Sequence, residues 1–455
     1  MAEHDNEQWE EMLRAIMGDA ADEVIRSMKD SGIDPSAMGM MVSPDQMHAV
    51  TSQLKAMLGS SGEGPVNWKI AEEVARDTII RSHMDNLTAA DGDKIRSALS
   101  VASLWLDAVT DIDPTTGPNL AWTRLDWVAH SLPTFRKLLD PLGTNINRAF
   151  GDVMRQQLQQ LPPEMAGMMG DPSNLLTNMV SSFLGMQYGT ALAQLAVSSF
   201  GTADIGLPLL EGSSAALVSS NIADFASDLE ISDDDVRMYI AVREAAAARL
   251  FTSIPWLRPR IIDTVGEYAR GIEIDMSSIE EQARSLDFAN PEAMQELDFS
   301  GVFSLEQSES QKDALARLEH LLSLIDGWVS AVSARAVLAY IPSAAALREM
   351  FARRNATSHP AKAVWGSQLG VELAPRDLRA AVAFWERATA ERGDQGRDQL
   401  WSHPDLLPSA DDLHNPDGFF SAESAAIEDE LDSFLAELFD DADGGDDTSS
   451  QQHED

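Results

Sequence analysis

The chain has 455 residues, enough for a large core, and its 44% hydrophobic and 24% charged residues make an ordinary globular balance. It has no cysteine, which excludes disulfides and any thiolate metal ligand or nucleophile. A formal net charge of −41 argues against nucleic acid and anionic membrane surfaces, both of which need a basic footprint on the protein.

Mean hydropathy is slightly negative, and no apolar run reaches the roughly 18 residues that a membrane helix needs. The opening MAEHDNEQWEEMLRAIMG is acidic and lacks the apolar core of a secretory signal, so a cytoplasmic protein without a membrane span is expected. Residues 1–63 read as an acidic, Met-rich appendage. They hold an amphipathic helix near Trp9–Met28, the cluster DPSAMGMMVSPDQM, and a flexible linker over Gly59–Pro65.

Helical periodicity dominates from there to residue 420. Trp68–Arg81 is amphipathic through Ile70, Val74, Ile79 and Ile80. Asp91 is a candidate N-cap for the helix carrying Ile95, Leu99, Leu104, Trp105 and Leu106. TRLDWVAHSLPTFRKLLDPL reads as two helical pieces broken at Pro133. In the apolar helix Leu175–Ser199, Gly185, Gly189, Ala191 and Ala193 let another helix approach closely. In ADIGLPLLEGSSAALVSS, Pro208 and Gly212 punctuate two short apolar runs, which suggests a small β-hairpin near 204–218. Ser232 followed by Asp233, Asp234 and Asp235 opens the next helix, with a Ser cap and acids at its positive end. That helix runs through VREAAAARLFTSIPWL. Further helices are expected over 258–272, 310–337, 343–354 and 375–392. The tail, 421–455, is acidic and expected to be largely disordered, although Ile427, Leu431, Phe434, Leu435 and Leu438 keep a helical spacing that suits docking to a partner. The fold class is therefore mainly α, with a 64–420 body between two acidic ends.

No phosphate-binding loop, EF-hand or nucleophile elbow is present. The nine histidines are scattered, and no two lie three or four apart, so no helix face offers a His–His metal pair. His320, beside Glu319, is the best isolated candidate for proton chemistry, while Glu319 and Asp326 read as solvated helix positions.

An ordered series of phrases carries a further indication. It comprises TADIGLPL at 202–209, REAAAARLFTSIPWL at 243–257, EYARGI at 267–272, LEHLLSLIDGWV at 318–329, PSAAALREMFARR at 342–354 and LWSHPDLLP at 400–408. Through these the chain resembles the zincin-like metallopeptidases of the DUF2342 group, common in actinobacteria. Some members of that group are labelled as associated with coenzyme F420 biosynthesis. The resemblance implies a mostly helical, zincin-like body in which a His-Glu-x-x-His helix holds zinc. The Glu of that motif acts as general base on the metal-bound water, and a distal carboxylate completes the ligands.

Carried onto this chain, the motif falls on Arg243 to Ala247. Glu244 matches the general base and Glu267 is the candidate third ligand. Both histidine positions depart from the pattern, with Arg243 at the first and Ala247 at the second. Relatives also place histidines at positions matching Ala248 and Ser253. Arginine stays protonated and alanine has no donor, so no metal is expected unless the family's zinc activity is retained by other means. Arg243 can instead pair with Glu267 or Glu244, or project to solvent. Two functions follow: a non-catalytic binding or scaffold protein with an unknown protein or peptide partner, or a zinc-dependent hydrolase using Glu244 and an unusual metal site.

Overall fold

A computed structural model describes residues 64–82, 86–159, 172–204, 206–271, 308–357 and 377–421. The expected appendage 1–63 and, Ser421 apart, the expected tail 421–455 lie outside these residues. Helix α1 (Trp68–Ser82) buries Trp68, Ala71, Ala75 and Ile79 along one stripe. It lies on α4 (Pro172–Ser198) at very close range. A Cβ at Gly185 would stand 2.5 Å from the Asn67 carbonyl oxygen, and one at Gly189 would stand 2.6 Å from that of Ala71. Both glycines are thus required by the contact, as the small-residue pattern of α4 predicts.

Helix α2 (Ala89–Leu106) is capped by Thr88, whose hydroxyl accepts from the Asp91 amide. Asp91 is therefore the capped third residue rather than the N-cap. The predicted break at Pro133 does not occur either, because α3 (Arg124–Gln159) runs through both Pro133 and Pro141. Each proline removes one backbone bond. Burial of Trp127, Phe135, Leu138, Leu139, Leu142 and Ile146 on one face outweighs that loss.

The strand content takes a form other than a hairpin. Strand β2 (Ala216–Val218) comes from the expected region, but it pairs in parallel with β1 (Leu120–Trp122), in register Leu120 to Ala216. On its other side Gly201 makes a single antiparallel bridge to Leu217. Helix α5 (Ser219–Ser227) follows directly.

The central helix is α6 (Asp233–Ser253). Ser232 caps it by accepting from the Asp235 amide at 3.1 Å, with three aspartates in its first turn. Replacing Ser232 with Ala should cost about 1 kcal/mol of unfolding free energy, readable by urea titration. A near-zero change would mean that the aspartates alone secure this end. Helix α7 (Leu257–Arg270) turns away after the Ile254–Trp256 corner. Helix α8 (Glu309–Val337) has a capping box between Ser308 and Gln311 and runs against α6, α7 and α10 (Leu378–Gln399). Helix α9 (Ala344–Thr357), two short 3₁₀ turns at 400–402 and 404–406, and α11 (Ala410–His414) complete the body. No helix among the described residues is long and apolar enough to cross a membrane.

Candidate functional site

Because α6 packs on α2, α5, α8 and α9, most of its residues from Val236 to Leu250 are buried. The run of alanines lets these helices approach, which gives the run a packing reason beyond helix propensity. Arg243 and Ala247, four apart, share one face of α6. Glu244 faces the loop Phe200–Asp204, where that loop meets the edge of β2.

The Glu244 carboxylate is fully enclosed. One oxygen accepts from the Thr202 amide at 2.8 Å and from the Thr202 hydroxyl, and the other accepts from the Ala203 amide at 3.3 Å. Gly201 covers it so closely that an added Cβ would lie 2.6 Å from the carboxyl carbon and 2.7 Å from the Ala216 carbonyl oxygen. Burial penalises the charge more than these donors relieve it, and the Glu244 carboxyl is pushed up to about 7.

Arg243 reaches neither Glu244 nor Glu267, and it does not project to solvent. Its side chain is only 14% exposed and forms an ion pair with Asp326 of α8 at 2.5 Å. It also donates to the Ser330 hydroxyl at 2.9 Å, and its guanidinium lies 5.3 Å from the Phe351 ring centroid. Asn355 donates to the second Asp326 oxygen at 2.7 Å. Burial works against the charge on Arg243, but the facing Asp326 carboxylate together with Tyr239 and Asp204 outweighs it, and the group is held protonated above its ordinary range.

A second ion pair lies alongside. Arg354 of α9 meets both oxygens of Asp204 at 3.1 Å and sits over Phe200, with its guanidinium 4.3 Å from the ring centroid. Phe200, Phe225, Tyr239 and Phe351 form the aromatic floor under the two guanidiniums.

Glu267 is elsewhere. It accepts from Arg317 at 2.6 Å, and both side chains are about half exposed. Arg317 and Asp326 are nine positions apart on α8, a rise of about 14 Å. The carboxylate facing position 243 is therefore Asp326, not Glu267, and Asp326 is no solvated helix position. His320 is held apart too, with Nε2 at 2.8 Å from the Pro408 carbonyl. Ser253 donates to the Asp113 carbonyl at 3.2 Å, while Ala247 and Ala248 are buried. Asp204, Asp326, Arg354 and Asn355 were not among the residues singled out from the sequence for pairing. Each lies within or beside a phrase carrying the family resemblance, and that was the available signal.

The sequence profile described as "Zincin-like metallopeptidase" matches residues 66–420, which is most of the chain. The chain belongs to this family. A solved structure from Chloroflexus aurantiacus, described as a "putative hydrolase with a novel fold", is similar in fold to this zincin-like protein. It is 21% identical, with a TM-score of 0.53, over 79% of this chain and 99% of that one. No curated protein matches significantly.

The zinc of a zincin does not fit the residues present. At the two positions where the sequence resemblance expects imidazoles, Arg243 has a permanent cation and no lone pair, and Ala247 offers no donor atom. Both Glu244 oxygens are already taken by Thr202 and Ala203. Among the described residues, no three His, Cys, Asp or Glu side chains are grouped so as to hold a metal ion.

Proposed function

We propose that this zincin-like protein is a non-catalytic member of its family, a pseudoenzyme that works in the cytoplasm by holding a protein or peptide partner. Its parts would be a 64–420 body flanked by an acidic appendage and an acidic tail, either of which could extend the binding surface. The observation that carries this reading is the Arg243–Asp326 pair. A guanidinium supplies the positive charge at the first ligand position and occupies the carboxylate opposite, so the buried acid needs no metal to be satisfied.

Elemental analysis of the purified protein is expected to find well under one zinc per chain. The double variant Arg243→His, Ala247→His should then bind zinc, since both imidazoles would share one face of α6 opposite the released Asp326. Adding Asp326→Asn should abolish that uptake, and adding Glu267→Gln should leave it intact. One zinc per unmodified chain, or peptide turnover lost on chelation, would overturn the proposal.

One observation favours the hydrolase reading. Glu244 is held near neutrality, in the range suited to a general base. Its enclosure by Thr202, Ala203 and Gly201 leaves it a bridge between α6 and the Phe200–Asp204 loop rather than a group open to substrate. Peptidase activity that disappears in Glu244→Gln while the fold is kept would decide for the hydrolase.

A further inference from the structure

The two parallel strands end at one cavity of about 340 Å³. Strand β1 meets it at Trp122 and β2 at Ser219, the residue that follows its last, while the beginnings of α2 and α6 supply the rest of the wall. In open parallel sheets the crevice beyond the carboxyl ends of the strands is where small ligands bind, and sites for them run from about 300 to 1,000 Å³. Leu87, Ile95, Trp122 and Ile222 make the apolar part of this wall.

Part of the charge on the wall is already paired. Asp91 accepts from Thr88 and lies 3.7 Å from Lys94, and Asp224 holds the buried Arg124. Three groups are open. Side-chain hydroxyls of Thr88, Thr123 and Ser232 accept from first-turn amides of α2, α3 and α6, but α5 begins after Val218, which has no acceptor to offer. Among the described residues the Ser219 and Ser220 amides therefore lack a partner, and the Ser220 hydroxyl, shielded from solvent, lacks one too. Arg237, its side chain only 15% exposed, donates to the largely exposed Asp234 through one terminal nitrogen and leaves the rest of its fork free. Asp233 at the head of α6 is the one wall carboxylate that no cation among the described residues engages.

We propose that this cavity binds a free α-amino acid with an apolar side chain. Its carboxylate takes the open α5 amides and the Arg237 guanidinium, its ammonium takes Asp233, and its side chain lies on the apolar wall. A zwitterion satisfies all three open groups at once. A simple anion would leave Asp233 facing it, and a simple cation would meet Arg237 and the positive end of α5. The cavity shares no residue with the Arg243–Asp326 pair, so zinc in the protein would overturn the function proposed above and leave this inference standing.

The probe is L-leucine, titrated calorimetrically into the full chain. 4-Methylpentanoate keeps the carboxylate and the apolar body without the ammonium, and 3-methylbutylamine keeps the ammonium and the body without the carboxylate. Leucine should bind about tenfold tighter than either, because each truncated ligand leaves one charged or donor group of the wall unmet. Asp233→Asn should erase the preference over 4-methylpentanoate. Ser219→Pro deletes an open amide at the first helical position, where proline is tolerated, and Val218 before it already has the extended φ of −90° and ψ of 102° that proline requires. That variant should keep its thermal unfolding midpoint and bind leucine about tenfold more weakly. No binding of leucine at millimolar concentration, equal binding of a truncated ligand, or unchanged leucine affinity in both variants would overturn the inference.

Discussion

Replacing Asp398 with alanine is expected to lower the unfolding free energy by about 4 kcal/mol, among the largest effects open to a single substitution in this chain. Asp398 is buried at the end of α10 and accepts from two other parts of the fold as well as from its neighbour Arg397. The Trp328 indole of α8 donates to it at 2.8 Å, the Thr110 hydroxyl at 2.6 Å and the Asp111 amide at 2.8 Å. Arg397, with no exposed surface, donates from Nε at 2.7 Å and from its second terminal nitrogen at 2.8 Å.

Removing the carboxylate therefore leaves the buried Arg397 guanidinium with Asp394, at 3.1 Å, as its remaining charged partner, and takes the acceptor from a buried indole N–H. The site matters beyond stability, because Trp328 lies two residues after Asp326 on α8 and helps to hold that helix against α10. Urea unfolding monitored by tryptophan fluorescence measures the loss. A double variant Arg397→Met, Asp398→Leu should recover much of it, since apolar groups of similar size remove the buried guanidinium that has lost its closest carboxylate. If Asp398→Ala costs less than about 1 kcal/mol, the network is not the anchor described here.

The same contrast between local and distant partners explains how much the sequence disclosed. Spacing of apolar residues at three and four gave α1, α4, α6 and α8 within a few residues, and the glycines of α4 announced a close helix contact before any partner was known. The Ser232 cap was legible because its chemistry is local. The hairpin was misread because β2 pairs with a strand almost a hundred residues earlier, and the turn signals at Pro208 and Gly212 carry no information about that. Pro133 failed to break α3 because tertiary burial outweighs a single lost backbone bond.

The site shows the division most clearly. The resemblance drew attention to Arg243, Glu244 and Ala247, which lie on α6. Which carboxylate faces Arg243 did not follow. With 74 acidic residues in the chain, the nearer Glu267 was the natural choice, yet α7 turns its end toward Arg317 and the fold brings in Asp326 from 83 positions away.

Glu244→Gln is expected to remove a pH dependence of stability worth about 3 kcal/mol, the equivalent of moving a carboxyl from 4.5 to about 7. Below the unfolded value both states of the wild-type chain hold the proton, and the stabilisation from the neutral, hydrogen-bonded carboxyl is fully present. Between 4.5 and about 7 the folded protein keeps a proton that the unfolded chain has released, so each rise in pH favours unfolding. Above about 7 both states are ionised, and this contribution has been lost. Glutamine keeps an acceptor for the Thr202 amide and hydroxyl and never ionises. Subtracting the variant's unfolding free energy from the wild type's at each pH isolates this one group from the many other acids. The difference should fall by about 3 kcal/mol between pH 4.5 and 7.5, leaving the variant the more stable protein relative to wild type at the alkaline end. Parallel curves for the two proteins would show that Glu244 is already ionised in the fold, with its carboxylate satisfied by Thr202 and Ala203. A curve that rises instead of falling would mean that a cation reaches Glu244, and the case for a retained metal would then have to be reopened.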